Sequence, residues 1–201
     1  MRIRKKKWVA PYIENEDRYI IKKADQISNT KDKLYVEIGM GMGDFITKSA
    51  SLNPDILYIG LEKEATCVAK AAIKASEYDL DNLGIIFDGA DNIEAYFDHN
   101  IDRIYLHFSD PWPKKAHAKR RLTYHTFLAK YKQVLKADGE IIFKTDNAAL
   151  FEFSIIEFLN NGFTLSEISV DYHREPKDDI MTAYESKFVE LSKPIYFARL
   201  K

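Results

Sequence analysis

Several residue types are scarce in this sequence, and each shortage excludes a class of protein. A single cysteine, Cys67, rules out an intrachain disulfide framework and favours a reducing compartment. Eight glycines and six prolines among 201 residues are too few for a disordered chain or a repeat array. No stretch approaches the roughly 18 consecutive apolar residues of a transmembrane helix, so we expect no membrane partner. A hydrophobic content of 46% is enough to form one sizeable core.

Net charge is also nearly absent, because 30 Lys and Arg residues face 31 Asp and Glu residues, for a formal charge of −1. Composition alone therefore predicts no polyanionic partner, and such a partner has to be argued from local clusters. The basic N-terminus is followed by Pro11, Glu14 and Glu16 before any apolar stretch develops, which is not the pattern of a secretory signal. We expect a cytoplasmic protein.

Short apolar runs alternate with helical patterns after a basic N-terminal arm of residues 1–30. This alternation is typical of a parallel sheet whose two faces are covered by helices. Five strands are predicted, at residues 34–38, 57–61, 84–87, 103–108 and 140–144. Beyond Gly162, two further runs at 163–172 and 195–200 predict an antiparallel hairpin at the sheet edge. We therefore expect one α/β domain over residues 31–201 with a largely parallel, seven-stranded sheet.

A glycine-rich turn joins the first predicted strand to a helix, with Gly39, Gly41 and Gly43 at alternate positions. Glycines at such a junction let the backbone approach a ligand. A dinucleotide-binding turn carries its third glycine where this sequence has Asp44, and an acidic side chain there repels a pyrophosphate. The turn thus suits a nucleoside without phosphate, although such a turn can also be only a tight connection.

Acidic residues around the turn favour a bound nucleoside over a turn that is only a tight connection. Glu37 precedes the first glycine, and Glu62 follows the second predicted strand, where its carboxylate can accept hydrogen bonds from two ribose hydroxyls. The cationic sulfonium and amino groups of S-adenosylmethionine tolerate carboxylates that a phosphate would not, so we predict this cofactor. Asp88, after the third predicted strand, is the preferred partner of the adenine amino group. Asp91 is the alternative, unless it only caps the next short helix.

A stiff loop follows the fourth predicted strand, because prolines at 111 and 113 flank Trp112 and restrict the backbone of the loop, which fixes its direction. Asp110 can accept hydrogen bonds or balance positive charge there, although Asp-Pro pairs are also ordinary turn initiators.

A dense basic run comes next, with no acid between Asp110 and Asp138. It predicts a polyanion site, the usual alternative for a charge run being a solvated helix face. Together with a basic group in the arm, the run indicates phosphate contacts of a nucleic acid. The run comprises Lys114, Lys115, His117, Lys119, Arg120 and Arg121, and the arm group comprises Arg2, Arg4, Lys5, Lys6 and Lys7.

Four motifs make the sequence similar to the bacterial tRNA (guanine-N7-)-methyltransferases, a family with the Rossmann-like class I S-adenosylmethionine-dependent methyltransferase fold. The motifs are Glu37-Ile-Gly-Met-Gly-Met-Gly, Ser-Asp110-Pro-Trp-Pro-Lys114-Lys, Phe-Lys-Thr-Asp146-Asn147 and Thr182-Ala-Tyr-Glu185. The first is shared by many methyltransferases, whereas the other three, in this order and spacing, are specific.

The resemblance implies that the acidic residues Glu37, Glu62, Asp88 and Asp110 line the cofactor site with the three glycines. It also implies that Lys114, Asp146 and the residues Thr182, Ala183, Tyr184 and Glu185 contact the tRNA substrate, and that guanine 46 of the variable loop is methylated. Phosphate contacts are assigned to Lys115, Lys119, Arg120 and Arg121. No obligatory protein partner is indicated, and a monomer and a homodimer both remain open.

The acceptor chemistry assigns further roles. Guanine N7 carries an in-plane lone pair, so it needs alignment and no general base. A carboxylate can stabilise the cationic base that results, and Asp110 is the predicted catalytic residue. An Arg fork on O6 and N7 would block the acceptor atom, so we expect Asp146 and Glu185, helped by Thr182, to read the opposite edge of the base.

Other classes explain less of the sequence. A non-enzymatic RNA-binding module leaves Glu37, the glycines and Glu62 without a purpose. A methyltransferase of DNA amino groups or of protein shares the cofactor turn but lacks the basic tail. Asp44 disfavours a nicotinamide dehydrogenase, and five scattered histidines with one cysteine predict no metal site.

Overall fold

Strands and helices alternate along the chain in the computed structural model, which describes residues 6–16, 18–22, 24, 27, 31–177 and 179–201. They belong to two compact units, Met1–Phe97 and Asp98–Lys201.

The first unit is built on four parallel strands. Helix α1 spans Val9–Asn15, and strands β1 to β4 span Ile20–Ile21, Lys33–Ile38, Ile56–Leu61 and Leu83–Ile86. β1 pairs with β4, β4 with β3, and β3 with β2, always in parallel. Helices α2, Asp44–Leu52, and α3, Ala65–Glu77, are the crossovers, and a short 3-10 helix spans Ala90–Ala95. Strands β2, β3 and β4 are buried almost throughout, as expected for strands covered on both faces.

Helix α3 packs closely because its inner face is made of small residues. Glu64 begins the helix by accepting a hydrogen bond from the Thr66 backbone N–H, and alanines dominate the buried positions. Cys67 lies among them and is buried. Burial, helped by the charges of Glu62 and Glu64, raises the pKa of its thiol to about 11. The cysteine is thus packed and unreactive, in keeping with its position in a predicted helix.

The second unit combines a parallel pair with antiparallel strands. Its strands are β5, Ile101–His107; β6, Leu135–Thr145; β7, Leu165–Ser169; and β8, Tyr196–Leu200. β5 pairs in parallel with β6, and β8 lies antiparallel between β6 and β7. Helices α4, α5 and α6 span His125–Val134, Ala148–Asn160 and Ala183–Glu190, and a 3-10 helix spans Lys115–Arg120. Phe143 of β6 packs on Phe151 and Phe158 of α5, which buries the inner face of that helix.

The predicted α/β fold is confirmed, with two differences in detail. The described residues form eight strands and not seven, because β1 lies in the segment interpreted as an arm, which also contains α1. The C-terminal strands are antiparallel as predicted, but α6 lies between them in the chain, so they do not form a tight hairpin. The two-residue strand β1 and the short helix α6 are too brief to leave a periodic signal in the sequence.

Candidate active site

The glycine turn after β2 is closed by Glu62 at the end of β3. Its carboxylate accepts hydrogen bonds from the backbone N–H of Gly41 at 3.1 Å and of Glu64 at 2.9 Å, one on each oxygen. The N–H groups of Gly39 and Met40 donate to the Leu61 carbonyl. Each carboxylate oxygen of Glu62 therefore retains a lone pair that can accept a hydroxyl.

The three glycines of the turn differ in their surroundings. All have positive φ, at 75°, 57° and 76° for Gly39, Gly41 and Gly43. A Cβ atom on Gly43 would lie 2.8 Å from Cβ of Ala71, whereas nothing lies within 4 Å of one on Gly41. Gly43 thus permits close packing of α2 on α3, and Gly41 borders open space. Of these two predicted cofactor glycines, Gly41 has the surroundings that a ligand needs.

Glu37 is a buried carboxyl near the end of β2, with 3% of its surface exposed. Burial is the main reason that its pKa lies well above the ordinary value, and the negative charges of Glu62 and Asp44 add to the effect. Asp44 itself forms an ion pair with Lys74 of α3. A bound cation would favour the ionised form of Glu37, so this residue suits a positively charged ligand.

The loop after β4 is organised by Asp88. Its Oδ1 accepts hydrogen bonds from Gly89 N at 2.7 Å and Asn92 Nδ2 at 2.9 Å, and its Oδ2 accepts one from the Tyr96 hydroxyl at 3.1 Å. Asp91 is exposed, and the N-cap of the 3-10 helix is Gly89, with no side-chain cap hydrogen bond. The capping role considered for Asp91 is therefore absent, and the fixed, half-buried Asp88 keeps acceptor capacity on Oδ2.

The acidic positions of the first unit follow the carboxyl ends of neighbouring strands. The glycine turn follows β2, Glu62 follows β3, and Asp88 comes two residues after β4. Since β2, β3 and β4 are parallel neighbours, these groups occupy one edge, where ligands bind in open α/β sheets.

In the second unit, the loop around Asp110 has a strained backbone. Phe108 and Trp112 have φ of 49° and 41°, a left-handed conformation that costs about 1–3 kcal/mol for a residue with a side chain. Arg121 holds the loop, because its guanidinium donates to the carbonyls of Pro111 and Trp112, both at 3.0 Å. Asp110 is exposed and accepts no hydrogen bond from any described residue. Its carboxylate is therefore available to a ligand.

Arg121 differs from the rest of the basic run. Besides its two loop hydrogen bonds, its guanidinium lies 4.3 Å from the ring centroid of Phe153 on α5. These contacts occupy much of the Arg121 guanidinium, which the sequence predicts to contact a phosphate. Its place in the structure is that of a brace for the Asp110 loop.

The remaining members of the run are open to solvent. The 3-10 helix Lys115–Arg120 has no buried residue, and Lys114, Lys115 and Lys119 are exposed without an acidic partner among the described residues. Arg120 stacks 4.9 Å from the ring centroid of Trp112. In the arm, Lys6 and Lys7 are exposed. The other arm residues named above, Arg2, Arg4 and Lys5, lie outside the described residues.

Asp146 and Tyr184 form a second candidate contact area. Asp146 directly follows β6, is half-buried, and has no hydrogen-bond partner among the described residues. Tyr184 is 48% exposed, and its ring lies 5.2 Å from that of Phe108 and 4.7 Å from that of Phe188, between centroids. Burial, followed by the charge of Asp146, raises the pKa of Tyr184. A free carboxylate beside an exposed aromatic ring can hold an unstacked base.

Glu185 is completely buried at the start of α6, with 0% of its surface exposed. Its Oε1 accepts hydrogen bonds from Lys144 Nζ at 2.8 Å and His173 Nε2 at 2.7 Å, and its Oε2 accepts one from the Thr182 backbone. The Thr182 hydroxyl accepts from the Glu185 N–H, which completes a capping box before Ala183. In this arrangement the Glu185 carboxylate is not available to a base, in contrast to its predicted contact. The half-buried Thr182 accepts through its hydroxyl oxygen and keeps the hydroxyl proton to donate.

Sequence reasoning missed Lys144 as a functional candidate. This lysine follows Ile141, Ile142 and Phe143 in a strand whose last five residues are all buried. A lysine inside such a run almost always has a buried acidic partner, and this was the signal available in the sequence.

Neither a metal cluster nor a membrane helix is found in the described part of the chain. Within it, no three His, Cys, Asp or Glu side chains come together so as to hold a metal ion. None of its helices has the length and apolar character that a membrane crossing needs.

Comparison with known proteins identifies the family. Residues 31–198 match the family described as "Putative methyltransferase". The tRNA (guanine-N(7)-)-methyltransferase of Staphylococcus haemolyticus is 46% identical, covering 98% of this chain and 95% of that protein. The protein of the same name from Oceanobacillus iheyensis is 41% identical, covering 98% and 96%.

Solved structures with low sequence identity share the fold. An antibiotic-related methyltransferase has a TM-score of 0.63 at 19% identity, covering 88% of this chain and 90% of its own. The 16S rRNA methyltransferase KamB has a TM-score of 0.65 at 14% identity, covering 88% and 89%. The Rossmann-like methyltransferase fold is therefore confirmed, and the identity shared with the curated relatives over nearly the whole length shows that the chain belongs to the bacterial tRNA (guanine-N7-)-methyltransferase family.

Proposed function

We propose that this protein transfers a methyl group from S-adenosylmethionine to N7 of a guanine in tRNA, with guanine 46 of the variable loop as the acceptor, in the cytoplasm. The observation that carries the cofactor assignment is the open space over Gly41, bordered by the carboxylate of Glu62. The names of the relatives support N7 of a tRNA guanine as the acceptor atom.

The residues of the first unit fit the cofactor. Glu62 accepts the ribose hydroxyls with the lone pairs that its two backbone contacts leave free. Asp88 accepts the adenine amino group on Oδ2, and Glu37 balances the positive charge of the ligand's ammonium group. A pyrophosphate would face three carboxyl groups and gain no positive partner from them, so a dinucleotide fits poorly. When bound, S-adenosylmethionine supplies an electrophilic methyl group.

Residues of the second unit serve the acceptor. Asp110 stabilises the positive charge that the guanine acquires on N7, because its exposed carboxylate has no competing donor among the described residues. The brace from Arg121 and the stiff backbone hold that carboxylate in place before the substrate arrives, which lowers the cost of reorganisation. No proton has to be removed, so no general base is required.

Recognition of the guanine is assigned to the area around Asp146. Its carboxylate accepts N1–H and the exocyclic amino group, and the Tyr184 ring offers a stacking surface. Lys114, Lys115, Lys119 and Arg120 contact phosphates, because they project from an exposed segment without acidic partners among the described residues.

The product of the reaction tests the proposal. Purified protein is incubated with methyl-labelled S-adenosylmethionine and bulk tRNA, and the nucleosides are then separated. We expect label only in 7-methylguanosine. A transcript with 7-deazaguanine at position 46 should bind without reacting, because a carbon replaces the nucleophilic nitrogen. Label in an exocyclic amine, a pyrimidine or a protein would refute the function, and 7-methylguanosine formed in a transcript with adenine 46 would refute only the position.

A further inference from the structure

A buried ion cluster lies behind the proposed guanine site. Lys144 is 2% exposed, and its Nζ donates to Asp179 Oδ2 at 2.7 Å and to Glu185 Oε1 at 2.8 Å. The same Nζ lies 4.6 Å from the ring centroid of Tyr172. His173 Nε2 shares the Glu185 oxygen at 2.7 Å. One ammonium group thus joins β6, the side chains of Tyr172 and Asp179, and the first turn of α6.

Stability alone is a weak explanation for such a cluster. Removing charged groups from water is costly, and well-packed apolar residues of similar volume often replace a buried ion pair without loss of stability. A lysine, two carboxylates and a histidine do, however, define one arrangement of the segments that carry them, because each hydrogen bond has a fixed length and direction. The cluster is therefore better suited to fixing positions than to adding stability.

The segments that meet at Lys144 carry the proposed contacts to the base. Asp146 is two residues further along the chain, and Tyr184 directly precedes Glu185. The Lys144 backbone carbonyl also accepts from the N–H of Phe108, at 2.9 Å, where the Asp110 loop begins. Displacement of the ammonium would release the start of α6, and with it the ring of Tyr184.

We propose that Lys144 is a positioning residue for the acceptor guanine, its ammonium group holding Glu185 and Asp179 so that the Tyr184 ring stands beside the Asp146 carboxylate. Glu185 then anchors this arrangement from inside the protein, and Asp146 reads the base. This assignment rests on the proposed function, which gives Asp146 and Tyr184 their substrate.

The first test replaces Lys144 and a matched lysine of the same strand by methionine. Lys136 also lies on β6 and donates to Asp102 at 2.8 Å, but it is partly exposed. We expect Lys144→Met to lower kcat/KM for tRNA by about tenfold to a hundredfold, since small misplacements of a substrate have effects of that size. Affinity for S-adenosylmethionine should be unchanged. The kcat/KM of Lys136→Met for tRNA should stay within about twofold of the wild-type value, because exposed ion pairs contribute little to stability.

The second test distinguishes anchoring from reading and does not require Lys144→Met to fold. Transcripts carry guanine or inosine at the target, inosine lacking the exocyclic amino group. Asp146→Asn should lose most of the preference for guanine, which we expect to be about tenfold to a hundredfold in wild type from one buried hydrogen bond. Glu185→Gln should be slower on both transcripts and keep the preference.

Two results would overturn the positioning role. One is a folded Lys144→Met variant, checked by thermal unfolding, whose kcat/KM for tRNA equals that of wild type. The other is a Glu185→Gln variant that loses the guanine preference as fully as Asp146→Asn, because Glu185 would then read the base itself. Failure of the proposed function looks different, since wild-type protein would then form no 7-methylguanosine at all.

Discussion

Gly41 is the position at which one added methyl group tests the cofactor site. Its φ of 57° strains any residue with a side chain, and Gly162, after α5, has a φ of 74°. Near Gly162 a Cβ atom would meet only the flexible end of Lys132, at 3.0 Å. Gly162→Ala is therefore a control for backbone strain without any effect on a ligand site. Gly43→Ala adds a collision with Ala71, so it reports on packing.

The expected magnitudes follow from these surroundings. A left-handed conformation costs about 1–2 kcal/mol for an L-residue, so Gly41→Ala and Gly162→Ala should lower the free energy of unfolding by similar amounts. For a chain of this length the loss corresponds to a fall in Tm of about 2–8 °C. Gly43→Ala should lose about 1–3 kcal/mol more, because overpacking is added to strain.

Binding separates the variants. In calorimetric titrations, S-adenosylmethionine should bind Gly41→Ala at least about tenfold more weakly than wild type, a loss of about 1.4 kcal/mol, because the new methyl group occupies space needed by the ligand. Gly162→Ala should bind like wild type. Gly41→Ala could instead bind S-adenosylmethionine as tightly as wild type while its Tm falls by the same amount as that of Gly162→Ala. In that case the open space over Gly41 would not be the cofactor site.

Four further predictions concern charge. Burial raises the folded-state pKa of Glu37 above its unfolded value. This carboxyl group therefore favours folding at low pH and loses that contribution as pH rises through the raised pKa. Glu37→Gln should raise Tm at pH 8 more than at pH 5. Below the raised pKa Glu37 is protonated, so binding of the cationic cofactor should release its proton. Calorimetry in buffers of different ionisation enthalpy should detect this proton release in wild type and not in Glu37→Gln. Asp110→Asn should slow single-turnover methylation about a hundredfold while tRNA affinity persists, and an unchanged rate would remove this residue from the mechanism. Replacing Lys115 and Lys119 by Ala should reduce the log–log salt slope of tRNA binding by about 0.7–0.9 for each lost contact. Lys48, an exposed lysine of α2 outside the basic run, is the control, and Lys48→Ala should leave the slope as it is.

Strands β2, β3 and β4 could be predicted because they are buried on both faces. β2, for example, is buried at every residue after Lys33 and was expected at 34–38, within a residue of its observed bounds, Lys33–Ile38. β1 could not be predicted in this way, because two residues form no run, although Ile20 is buried and pairs with Ile85 of β4. Short elements owe their existence to tertiary contacts, which a local pattern does not contain.

The candidate site could be predicted by position but not by orientation. Glu62, Asp88 and Asp146 follow parallel strands, so their places at strand ends were expected. Whether a carboxylate faces solvent or the interior depends on partners distant in sequence. Glu185 lies 41 residues from Lys144, and only the folded chain shows that they pair. Likewise, a run of basic residues does not reveal that Arg121 turns back to brace its own loop.

The buried thiol of α3 gives this protein a built-in reporter of local opening. Cys67 is the only cysteine, and it belongs to the first unit. Because its pKa is raised to about 11 and its sulfur is buried, a thiol reagent at neutral pH can modify it only during excursions that expose α3. The modification rate of unaltered protein therefore measures how often the first unit opens, and suppression of that rate by S-adenosylmethionine would give the affinity of the proposed cofactor without any introduced label.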